Sequence, residues 1–129
     1  MTRLLAIALG GALGALARYA VFVAATHLLG HGFPYGTLIV NVVGSLLLGV
    51  LIEGLALAWT MPEPARLFLV VGVFGAFTTF STFSLDVAVL YERGRTLAAA
   101  GYVLASVVLS VGGLFAGLHL MRRVLMAGH

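Results

Sequence analysis

The chain has 129 residues, of which 62% are hydrophobic and only 9% charged, and its mean hydropathy is +1.17. A water-soluble domain carries about 25% charged residues, so this chain lacks the polar surface to stay in water and falls in the membrane class. Its net charge of +3 rests on seven arginines, the residues expected at helix ends near headgroups rather than on nucleic acid, and the lack of cysteine excludes disulfides, thiolate chemistry and iron–sulfur clusters.

The first apolar run, Leu4 to Ala25, has roughly the 20 residues that a membrane helix needs. It is too long for the apolar core of a signal peptide and carries Arg18 and glycines inside it, so it is expected to be a retained span. Gly10, Gly14 and Arg18 recur every four residues and share one face. The small residues suit close helix packing. An arginine well inside a span is either tied to structure or functional, and would make the interior electropositive.

The second run, Gly36 to Trp59, follows a break containing Gly30, Gly32 and Pro34. Asn41 and Ser45 share a face at i, i+4. An amide in lipid must find partners, so Asn41 is either interhelical glue or a donor lining a pore. Glu53 lies toward the span's far end, within reach of the interface.

The third run, Leu67 to Leu90, follows "TMPEPAR" with its two prolines and contains "GAFTTFSTFSLD", Gly75 to Asp86. Thr78, Thr79, Ser81, Thr82 and Ser84 can all bond nearby backbone in competition with the helix ladder. With Gly72 and Gly75 just before them, helix propensity is poor. The expected result is a helix broken at mid-membrane, which is tolerated only where the backbone is buried in protein or lines a wet cavity. Phe80 and Phe83, at i, i+3, face the same way if the local geometry is near-helical.

The fourth run, Leu97 to Met121, follows "YERGRT" and carries Tyr102, Ser106, Ser110, Gly113 and Gly117 in one stripe. Such a stripe either packs against protein or lines a polar track. Four spans put both termini on one side with Arg3, Arg66, Arg122 and Arg123, against Arg93 and Arg95 on the other. That bias is weak. It allows either an ordinary single orientation or insertion both ways, with two copies pairing antiparallel. Four helices rarely enclose a pathway alone, so a homo-oligomer is expected in either case.

The histidines lack the third ligand of a metal site, and no Ser-His-Asp set, P-loop or carboxylate pair points to an enzyme. The interior offers hydrogen-bond donors and the positive ring edges of Phe80 and Phe83, with no carboxylate at mid-span. That chemistry leans toward a small, strongly hydrated anion.

Three motifs, "GGALGALARY" in the first span, "NVVGS" in the second and "GVFGAFTTFSTFSLD" in the third, closely resemble the Fluc (CrcB) family of small fluoride channels. The resemblance covers essentially the whole chain. It implies an all-α membrane protein, one four-helix domain over residues 1–129 with the third helix broken. Two copies would pair as an antiparallel, dual-topology homodimer with two fluoride pores. The positions matching pore residues are Asn41, Phe80, Thr82, Phe83, Tyr102 and Ser110, and Arg18 matches a structural or vestibule arginine. A structural, untransported Na⁺ would be held by the backbone carbonyls of Gly75 and Thr78 from both chains. The implied activity is passive export of cytoplasmic fluoride across the cell membrane by a multi-pass protein that is not an enzyme. The residues leave two rivals, a proton-coupled small multidrug-type exporter, which would want an acid in the first span where this chain has Arg18, and a non-transporting subunit of a larger complex.

Overall fold

The computed structural model of the protein describes residues 1–128. It is all-helical, with helices α1 (Thr2–Leu29) and α2 (Tyr35–Leu57), a composite third span, and a final helix (Thr96–Ala127). All four spans are long and apolar enough to cross a membrane. They run a few residues past the apolar runs because polar and charged residues at the ends remain good helix formers in the headgroup region. Trp59 is the exception. It lies beyond α2, its amide bonds back to the Gly54 carbonyl at 2.7 Å, and its ring covers Gly54.

The third span, Glu63–Glu92, has four parts. Pro62 precedes α3 (Glu63–Arg66), which runs into a π-helical segment (Leu67–Phe74) and then α4 (Gly75–Phe77). Thr78 is extended, at φ −85° and ψ 160°, and α5 (Ser81–Glu92) restarts the helix. The break therefore falls among the hydroxyl residues. The π-helical turn ahead of it has no counterpart in the sequence reading.

The break lets one span serve two partners. Its first half packs along α1 and its second half against the last helix, α6 (Thr96–Ala127). Bare backbone makes the α1 contact possible: Gly10 and Gly14 face the carbonyls of Phe68 and Val73, and Gly72 faces Gly10 in return. The α2–α6 pair is the most extensive contact in the chain. There Gly49 lies against the Leu114 carbonyl, and Gly113 and Gly117 against those of Val42 and Leu46. The lower part of the α6 stripe is thus a packing seam.

Gly30 (φ 86°) and Gly94 (φ 78°) occupy the left-handed region that ends α1 and turns α5 into α6. On the same side of the bundle the Arg95 guanidinium donates to the Gly32 carbonyl, tying the two loops together. At the other end Arg3 pairs with Glu63.

Candidate ion pathway

The break is held from outside its own helix. Asn41, one and a half turns into α2, grips Thr79 twice. Its Oδ1 accepts from the Thr79 amide at 2.8 Å and its Nδ2 donates to the Thr79 carbonyl at 3.0 Å. The Thr79 hydroxyl accepts from the Thr82 amide at 3.1 Å, capping α5 in the manner of an N-cap threonine. Upstream, the Thr78 hydroxyl bonds back to the Phe74 carbonyl at 2.9 Å.

A cavity of about 340 Å³ opens beside this break. Asn41, Gly44 and Ser45 of α2 line it, together with Thr78, Thr79, Phe80 and Phe83, and with Ser106 and Ser110 of α6. The Asn41 amide spends one of its two N–H groups on Thr79, which leaves the other available. The Ser106 and Ser110 hydroxyls are buried without a hydrogen-bond partner. A buried unpaired hydroxyl costs about 1–3 kcal/mol, so both hydroxyls are able to bond an occupant of the cavity.

Four of the sequence-derived pore positions, Asn41, Phe80, Phe83 and Ser110, meet at this cavity. Phe80 and Phe83 lie 5.5 Å apart between ring centroids. Phe83 is buried, whereas Phe80 is 77% exposed in the single chain. Tyr102 stands outside the lining, fully buried, with its ring 5.2 Å from that of Phe83. Thr82 faces a neighbouring cavity of about 310 Å³, which also reaches Thr37, Asp86, His31 and Arg93. Arg18, half-buried on α1, lies over the ring of Phe22 at 5.9 Å and makes no ion pair among the described residues. Gly75 is exposed and Thr78 half-buried at the break.

Two carboxylates toward the span ends tie helices together. Asp86 Oδ2 accepts from the Thr37 hydroxyl at 2.7 Å and the Tyr102 hydroxyl at 2.9 Å, locking α2, α5 and α6 together. The Tyr102 hydroxyl therefore spends its donor on Asp86. Glu53 is buried against protein, 8% exposed, and accepts from the Arg122 guanidinium at 3.0 Å. Sequence reasoning missed the Glu53 tie because α6 continues past Met121 to Arg122, and the Asp86 tie because its partners Thr37 and Tyr102 lie 49 and 16 positions away. His119 Nε2 accepts from the Arg123 side chain at 3.0 Å.

Four membrane-length helices and a broken third span with a cavity beside it define a multi-pass membrane protein. Residues 5–118 match the model of the CrcB-like protein, Camphor Resistance (CrcB) family, and the chain belongs to that family. It is 54% identical over 121 residues to a protein of Nitrobacter winogradskyi named fluoride-specific ion channel FluC, covering 94% of this chain and 96% of the relative. It is 57% identical over 122 residues to the protein of that name from Rhodospirillum centenum, covering 95% and 97%. The Agrobacterium fabrum protein of that name is 49% identical over 124 residues, covering 96% and 99%.

Proposed function

We propose that the chain is a passive fluoride channel, not an enzyme, that releases cytoplasmic fluoride across the cell membrane. The observation carrying this reading is the pair of orphaned hydroxyls, Ser106 and Ser110, facing the same cavity as Phe80 and Phe83. Fluoride holds its water tightly. A route for it needs donors to replace that water and walls that do not bind too strongly, since conduction requires release as well as entry. Hydroxyl donors supply the first, and phenylalanine ring edges, which carry only partial positive charge, supply the second. The names of the relatives support the choice of ion.

The working unit is an antiparallel homodimer with two pores. Phe80, Ser81 and Ser84 are exposed on the single chain beside a non-helical stretch of backbone. Lipid does not tolerate such backbone, and a second copy would cover it. The weak arginine asymmetry suits insertion in both orientations.

A structural Na⁺ belongs at the centre of that dimer, held by the carbonyls of Gly75 and Thr78 from each copy. The hydrogen bonding fits the ion. The Thr79 amide, which a regular helix would close on Gly75, goes to Asn41, and the Thr82 amide, which would close on Thr78, goes to Thr79. Both carbonyls are left to accept something else, and a hard cation takes oxygen ligands of this kind. Its charge would draw the two copies together.

Fluoride release from vesicles holding only the purified protein, with no proton gradient imposed, tests the reading. Release sinks the exporter and accessory-subunit alternatives. Release only under a proton gradient sinks the channel.

A further inference from the structure

The break in span three is not left to weak helix propensity. Each interior amide of an α-helix closes on the carbonyl four residues back. At the break, side chains intercept two of these amides. Asn41 takes the amide of Thr79, and the Thr79 hydroxyl takes the amide of Thr82. Asn41 also fixes the Thr79 carbonyl. Thr79 is thus held at its N–H, its C=O and its hydroxyl at once, and the last of these bonds is made by its own side chain. Ser81 Oγ, 3.3 Å from Thr79 Oγ1, can receive the hydroxyl proton and leave the lone pair facing the Thr82 amide.

We infer that Thr79 is a positioning residue whose hydroxyl diverts the Thr82 amide and so frees the Thr78 carbonyl to face a cation. The inference rests on the reading above for the identity of the ion. A carbonyl stripped of its donor within a membrane costs several kcal/mol. A fold that spends a side-chain bond to create one gains only if the carbonyl then finds a ligand. Thr79 is among the residues lining the cavity, but its role here is not contact with the anion. It acts through the backbone of its neighbour.

Thr78–Thr79 is the only Thr-Thr pair in the chain. Labelling threonine with carbonyl ¹³C and amide ¹⁵N therefore isolates one peptide bond by NMR, joining the Thr78 carbonyl to the Thr79 nitrogen. The experiment compares the reconstituted protein in NaCl and in N-methyl-D-glucamine chloride, and follows the thermal midpoint of the dimer in both. The native correlation is expected to move between the two salts, with a higher midpoint in Na⁺. Thr79→Ser keeps the hydroxyl and both responses. Thr79→Val, read with threonine carbonyl and valine nitrogen labels, returns the Thr78 carbonyl to a helical shift and loses both responses. An ion-sensitive Thr78 carbonyl in Thr79→Val overturns the proposal, because the hydroxyl would then be no more than a helix cap. Should that variant not fold, the native protein still decides, since a correlation identical in both salts overturns the proposal as well. Fluoride flux separates the two levels of the argument. Flux with a silent correlation removes this inference alone. An ion-sensitive correlation without flux removes the channel reading and leaves the cradle.

Discussion

Gly10 of α1 faces the carbonyl oxygen of Phe68 so closely that an added methyl carbon would lie 2.2 Å from it. Nothing flexible stands there to yield, because the neighbour is backbone. Gly14 is in the same position against Val73. Gly10→Ala and Gly14→Ala should each push α1 off the π-helical segment and cost about 1–3 kcal/mol, the usual range for overpacking. Gly11→Ala and Gly112→Ala, where the space is open, should leave the thermal midpoint unchanged or slightly raised. Equal losses at all four positions would contradict the packing described.

Among the described residues, Asn41 is the one α2 side chain hydrogen-bonded to the break. Asn41→Ala removes both bonds to Thr79 and should lower stability by about 2–3 kcal/mol, two hydrogen bonds plus the unsatisfied groups they leave. Asn41→Asp keeps the acceptor for the Thr79 amide and should fall between the two. Thermal unfolding of the three proteins in one detergent gives the order.

Arg122 and Glu53 form an ion pair with one buried member. Arg122→Ala leaves a buried carboxylate without its donor. The cost should be about 1–3 kcal/mol, toward the low end because the Arg122 side chain is half-exposed. Adding Glu53→Gln should recover part of the loss. A double-mutant cycle with no coupling between the two would show that the pair contributes nothing.

The Tyr102 hydroxyl is spent on Asp86, so its ring, not its proton, borders Phe83. Tyr102→Phe should therefore reduce fluoride flux far less than Phe83→Ile. Phe80→Ile and Phe83→Ile should each abolish flux while leaving the dimer folded, as read by size-exclusion chromatography. Persistent flux in both would remove the two rings from the pathway.

Much of this arrangement was legible along the chain. Apolar runs bounded by Pro34, Pro62 and Gly94 give the spans, and five hydroxyls between Thr78 and Ser84 give the break. Both are local signals, set by side-chain chemistry within a turn or two. The π-helical segment was not legible, since "LFLVVGVF" contains no residue type that favours a bond five residues back over four. The clamp on Thr79 joins residues 38 positions apart, and periodicity says nothing about such partners. Asn41 could be read only as needing a partner, without saying which. The stripe on α6 was ambiguous for a physical reason: one half packs on α2 through Gly113 and Gly117, and the other opens Ser106 and Ser110 to the cavity.

The most direct measurement of the central claim is paired electrode recording of fluoride and chloride loss from liposomes containing only this protein, with Na⁺ present throughout. Rapid loss of fluoride with chloride retained is the predicted result. Equal loss of both ions, or none from a well-folded dimer, would contradict it.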